Sequence, residues 1–291
     1  MLDRVLKLFR GGILSRYRVD NCVTRHQFFT ISTGRDRKTM RPVLVKIYSR
    51  EGAAIEAKID VIYRERPLAE TLPALSNRFM VRTLEAGSDG GKRIEILEAA
   101  PTTTLKQRMS TEGLAPTAFR RAILQICEGV SYLHSRGHVH RGLCPETIVV
   151  SEEGDAKIID LSLVMDASRT HVSGTMVGPN GYVAPEIIKR SPVDARSDIY
   201  SLGVICYEAF SGTLPFPHVK SYEGLVRMMN QKPAGLAERN AGVPAGLDAV
   251  VMKAIAKSPG ERYQTVEEFM NALAAAPLPE SLSAKAPAFA A

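Results

Sequence analysis

The feature that most constrains the fold is a change of hydrophobic period about one third of the way along the chain. Up to about residue 100 the apolar residues come in short β-like runs, Tyr17 to Val19, Phe28 to Ser32, Val43 to Tyr48 and Arg93 to Leu97, separated by polar or Gly-bearing turns. One helical stretch interrupts them between Ala53 and Ala74, where Pro67 and Pro73 must break or restart the helix. From Pro116 onward the spacing becomes that of long helices. Phe119, Ile123, Ile126, Val130 and Leu133 recur three or four residues apart, which puts them in one stripe on a helix from Ala118 to His134. Further helices are predicted over Ser197 to Phe210, Leu247 to Lys257 and Thr265 to Ala275. A strand-rich first third followed by a helical remainder predicts an α+β chain in two lobes. Residues 277–291 are Pro, Ala and Ser without periodicity and read as a frayed tail.

Composition excludes several function classes. With 291 residues, 45% of them hydrophobic, the chain can bury a large core, and no stretch reaches the roughly 20 apolar residues of a membrane span. The net charge of +7 is spread along the sequence, so it favours acidic partners weakly, and no nucleic-acid partner is expected. Cys22, Cys127, Cys144 and Cys206 lie far apart with no C-x-x-C pair, which suits a reducing compartment; cytoplasmic localisation is the expectation. Residues 1–10 carry no export signal. Leu2, Val5, Leu6 and Phe9 do fall at helical spacing among basic residues, so any membrane contact is expected through this segment.

Five motifs carry a resemblance. His138 to Val150 read H-V-H-R-G-L-C-P-E-T-I-V-V and resemble the catalytic loop H-R-D-L-K-P-E-N of eukaryotic-like Ser/Thr protein kinases. Asp160, followed by Leu161 and Ser162, stands where that family has its metal-binding D-F-G, eighteen positions after Gly142 as the family spacing implies. Ala184, Pro185 and Glu186 look like the A-P-E motif. Ser197 to Gly203 are similar to the family's central helix, and Arg262 to the Arg that pairs with the A-P-E Glu. The landmarks run in family order over residues 17 to about 275. They imply a protein-kinase-like two-lobe fold, with a β-rich N-lobe over 17–100 and a helical C-lobe over 101–276, between an extension (1–16) and the tail.

The resemblance also implies a nucleotide site for ATP and Mg2+. Val43 to Ile47 look like V-A-I-K, which makes Lys46 the residue that holds the α- and β-phosphates; taken alone, a Lys in an apolar strand more often faces solvent. The implied ion-pair partner of Lys46 is Glu65, with Glu70 the alternative when counted back from a strand at Val81. Leu97 is the implied gatekeeper, and Glu98 to Ala100 the adenine edge, although the same wall would serve core packing. Asp160 is the implied magnesium ligand. The phosphate-covering loop falls at Thr24 to Phe29 and holds no glycine, so its backbone N–H groups lack the close approach to phosphate that glycine permits. It reads as an ordinary hairpin turn, in which Arg25 or His26 is the candidate phosphate contact.

The departures concentrate on chemistry. The Asp that accepts the substrate hydroxyl's proton is Gly142, the Lys that offsets γ-phosphate charge is Cys144, and the Asn of the second metal site is Thr147. Within Gly178 to Tyr182, which resembles G-T-P-G-Y, the bracing Thr is Pro179, which has no donor. Loss of a general base costs on the order of 10²- to 10⁴-fold in rate. No catalytic residues are therefore expected, and the chain reads as a pseudokinase: a kinase frame kept for binding a protein partner, with ATP binding weak or absent. The alternative is an active Ser/Thr kinase with degenerate motifs, for which Lys46 and Asp160 speak.

Overall fold

The computed structural model describes residues 12–63, 75–111, 114–169, 178–216 and 222–282. A 3₁₀ turn, Ile13–Arg16, leads into β1 (Tyr17–Arg25), β2 (Phe29–Asp36) and β3 (Pro42–Tyr48); α1 (Arg50–Tyr63) then precedes β4 (Thr83–Asp89) and β5 (Lys92–Glu98). The strands form one antiparallel sheet in the order β1-β2-β3-β5-β4. Alternation along β3 and β5 divides the sheet into two faces. Val43, Val45, Ile94 and Ile96 pack outward with Leu14 and Tyr17. Leu44, Leu97, Phe29 and Ile31 pack on the other face, toward the helical lobe. The strand placed at Val81 begins two residues later as β4, whose Thr-Leu-Glu-Ala-Gly-Ser-Asp shows little apolar alternation because it is the sheet's edge.

The helical lobe contains α2 (Leu105–Ser110), α3 (Pro116–Ser135), α4 (Pro185–Lys189), α5 (Arg196–Ser211), α6 (Tyr222–Asn230), α7 (Leu236–Arg239), α8 (Ala245–Ala254) and α9 (Val266–Ala275). Two short two-stranded antiparallel sheets, β6 (His138–Val139) with β9 (Met165–Asp166) and β7 (Ile148–Val150) with β8 (Ala156–Ile158), carry the loops between the lobes. The predicted stripe on α3 is fully buried, each such side chain contributing about 1.5–3 kcal/mol. Every residue of α5 from Ser197 to Ser211 is buried, and its buried polar groups, Asp198 and Glu208 among them, are hydrogen-bonded within the lobe. Gly203 lets α8 approach: a Cβ there would stand 2.7 Å from that of Ala254. The Arg262 guanidinium donates to both Glu186 oxygens at 2.8 Å, and the Ser197 hydroxyl donates to Glu186 at 2.6 Å, which ties α4, α5 and the segment before α9 together.

The helix expected over Ala53 to Ala74 begins at Arg50 and is described to Tyr63; Glu65, Pro67, Glu70 and Pro73 lie outside the described residues. Residues 277–282 do not leave the lobe as the tail composition suggested: Leu278 and Leu282 pack against its core, and Pro277 sits on Gly246. Among the described residues no helix is long and apolar enough to cross a membrane.

Candidate functional site

The catalytic loop keeps its backbone frame. The Asp198 carboxylate, wholly buried at the start of α5, accepts from the His140 and Arg141 amides and from the His134 ring, each at 2.8 Å. Burial alone would raise the Asp198 pKa, but the hydrogen bond and charge of His134 and the proximity of His140 hold it below the ordinary value. This anchor fixes Arg141 at φ 63°, a left-handed conformation that a non-glycine residue adopts only under constraint.

Inside that frame the positions that resemble the family's catalytic residues are tightly packed. A Cβ added to Gly142 would meet the Leu163 side chain at 3.2 Å, so an apolar residue borders the space where a general base would begin. Cys144 is completely buried, and desolvation pushes its thiol well above the ordinary value, so it is neither a cation nor a thiolate. The Thr147 hydroxyl lies 3.2 Å from the Gly142 carbonyl and 3.0 Å from that of Cys144, and accepts from the Cys144 amide; it staples the loop to itself. Pro179 is buried, and its carbonyl accepts from the Tyr182 amide. Glu146 lines a cavity of about 230 Å³ with Arg25, His26, Lys106 and Pro179.

The structure does bring Lys46 and Asp160 together. Lys46 is buried on β3, and its Nζ donates to Asp160 Oδ1 at 2.5 Å, to the Tyr48 hydroxyl at 2.7 Å and to Glu95 Oε2 at 3.2 Å. Tyr48 in turn donates to Glu95 Oε1. Asp160 also accepts from the Ser162 amide and hydroxyl. Desolvation would raise the Asp160 carboxyl, but the charge and hydrogen bond of Lys46 and the Ser162 hydroxyl hold it below the usual carboxylate range. The expected partner Glu65 lies outside the described residues. Glu95 and Tyr48 were missed, yet both leave a trace in the sequence. Tyr48 is two positions from Lys46 on one strand, hence on the same face, and Glu95 is a lone carboxylate between Ile94 and Ile96. The cross-strand register, in which Lys46 pairs directly with Glu95, supplies the rest.

The glycine-free hairpin tip turns its side chains into the cleft. His26 stacks on Phe29 with ring centroids 4.8 Å apart, and Lys46 Nζ lies 4.7 Å from the centre of the Phe29 ring. Burial holds the His26 pKa below the ordinary value. Phe28 and Phe29 both belong to the main core. The tip is fastened to the start of α1: the Ser49 amide donates to the Phe28 carbonyl at 2.8 Å, and the Ser49 hydroxyl to that of Gln27. Gly52 makes room for this contact, since a Cβ there would fall 2.1 Å from the Phe28 oxygen. Deeper in, Val23, Ile31, Leu44, Leu97, Val149 and Ile159 meet in one apolar wall, none more than 5% exposed. Across its mouth the Gln107 side chain of α2 donates to the Val23 carbonyl at 3.1 Å. Glu98 is bonded to Lys157 at 2.8 Å, and Ala100 packs half-buried against the core.

The model of the family described as protein kinase domain matches residues 20–273. The chain belongs to the protein kinase family. This kinase domain is 30% identical over 267 residues to a protein of Clostridium perfringens named "Probable serine/threonine-protein kinase", covering 90% of the chain and 38% of that protein. It is 29% identical over 252 residues to the serine/threonine-protein kinase PknL of Mycobacterium tuberculosis, covering 86% and 62%. The domain thus spans between about two fifths and three fifths of the length of these curated relatives. Among solved structures, a double mutant of the Mycobacterium tuberculosis PknI kinase domain superposes with a TM-score of 0.70 at 18% identity, over 89% of this chain and 95% of that one. The two-lobe α+β architecture is therefore that of the protein kinases, a family that generally uses ATP and Mg2+.

Proposed function

We propose that this kinase domain does not transfer phosphate and serves as a protein-interaction or regulatory module, with nucleotide binding weak or absent. The observation that carries the reading is Gly142, a residue without a side chain at the general-base position, with Leu163 packed beside it. Cys144 and Pro179 remove charge and a donor from the same cluster, and losses of base and charge stabilisation together leave little rate. The residues present fit Mg-ATP poorly. Both Asp160 oxygens and the Thr147 hydroxyl already hold bonds within the chain, while Phe29 covers Lys46. The domain frame, by contrast, is intact at Asp198 and at the Glu186–Arg262 pair.

The test is incubation of purified protein with [γ-³²P]ATP, Mg2+ and a generic substrate. No label transfer to itself or the substrate is expected, and a flat thermal-shift response to millimolar Mg-ATP. Transfer that disappears in Asp160→Ala would overturn the reading in favour of the second one, an active Ser/Thr kinase with degenerate motifs. The retained Lys46–Asp160 contact is what favours that alternative. Membrane or partner contact through residues 1–10 is a further proposal, on a segment outside the described residues; deleting residues 1–11 should abolish it.

A further inference from the structure

Along the hairpin-tip end of the sheet lies a groove of about 710 Å³, bordered on one side by His26, Phe29 and Tyr48 of the cleft and reaching on the other to the outer face of the sheet. Its floor is apolar: Leu14 from the 3₁₀ turn, Val19 from β1 and Ile47 from β3, the last two only half-buried. Its rim carries three exposed cations from three separate elements, Arg25 at the end of β1, Arg50 at the start of α1 and Lys92 at the start of β5. None of the three is ion-paired among the described residues, whereas the surface residues Arg16, Arg18, Arg121 and Arg196 each hold a carboxylate of the chain. A volume of this size accommodates one or two large side chains.

We infer that this groove is a docking site for an acidic, apolar segment of a partner protein, which seats Leu- or Phe-type side chains on the floor and carboxylates against Arg25, Arg50 and Lys92. Charge complementarity selects the occupant. Residues 1–10 and 283–291 do not match it, because the first carry Arg4, Lys7 and Arg10 against a single Asp3 and the second hold one Lys and no Asp or Glu. A concave apolar floor also favours an inserted side chain over the flat surface of a membrane. Complementary charge around an apolar anchor gives both orientation and encounter rate. The site stands whether or not Gly142 abolishes transfer, so its failure leaves the proposed function untouched.

The test pans a random-peptide display library on the intact chain. Enriched peptides are expected to combine Asp or Glu with Leu or Phe. Their affinity, read by fluorescence anisotropy, should fall about tenfold or more in the triple variant Arg25→Glu, Arg50→Glu, Lys92→Glu, because three rim contacts of modest size are lost together. The exposed positions of these residues predict an unchanged melting temperature, and the charge-keeping variant Arg25→Lys, Arg50→Lys should bind as the parent does. Failure to enrich any acidic-apolar peptide overturns the inference, as does full retention of binding by the triple variant. Binding to phosphatidylglycerol vesicles that the triple variant loses, with no peptide enriched, overturns it too and reassigns the groove to a membrane.

Discussion

Gly142 has a neighbour that decides what its reversion can do. Gly142→Asp must push Leu163, which a Cβ already meets at 3.2 Å, so it is expected to lower stability by about 1–3 kcal/mol through overpacking. It should leave label transfer from ATP undetectable, because Cys144 and Pro179 still lack the charge and the donor. Melting temperature and a ³²P assay check both halves; a G142D variant that gains transfer would mean the cluster is less closed than its packing. Two histidines give the pH dependence. Burial depresses both His26 and His140 below the ordinary value of about 6.5. The unfolded chain then binds more protons between the folded and unfolded values, so stability is full above about pH 6.5 and falls as pH drops through that value. His26 faces Asp160, Glu146 and Lys46, whose charges partly offset one another. His26→Phe keeps an aromatic ring on Phe29 and should flatten the loss of melting temperature between about pH 7 and 5; an unchanged slope would put the effect on His140 alone.

At the scale of elements, the contact between hairpin tip and α1 rests on one missing methyl group. Gly52→Ala would gain up to about 1 kcal/mol of helix propensity, but its Cβ falls 2.1 Å from the Phe28 carbonyl, a clash with backbone that outweighs the gain. The expected outcome is a lower melting temperature and faster amide exchange at Ser49 and Phe29; a rise in melting temperature would show that propensity wins. This element also marks the limit of sequence reading. The long helices were legible because a stripe such as Phe119 to Leu133 repeats over several turns and is wholly buried. The hairpin was legible as a turn without glycine, and Lys46 and Asp160 as two residues of one implied nucleotide site, though not as an ion pair. That Phe29 lies against Lys46, and that Glu95 meets the same ammonium, depended on strand register. Register is a relation between segments tens of residues apart, which no local period encodes. The edge strand β4 was legible only as a strand at Val81, without its bounds, because it buries too little to need a pattern.

Across the whole molecule, the Glu186–Arg262 fork joins the end of the activation segment to the last helices of the lobe. Arg262→Ala leaves Glu186 buried without its cation, which costs about 3–5 kcal/mol. Arg262→Lys should recover only part of it, since a single ammonium does not reproduce two parallel bonds. Chemical denaturation of the three proteins measures the difference, and equal stability of Arg262→Ala and the parent would remove the fork from the frame.

The quartet around Lys46 has a consequence for what the cleft will admit. Arg93 reaches Glu95 at 3.4 Å, so among the described residues two cations, Lys46 and Arg93, stand against two anions, Glu95 and Asp160. A nucleotide that used the Lys46 ammonium would have to draw it from Asp160 and Glu95, so these two buried contacts, set at the one cross-strand step where Lys46 faces Glu95, fix what any such ligand must overcome.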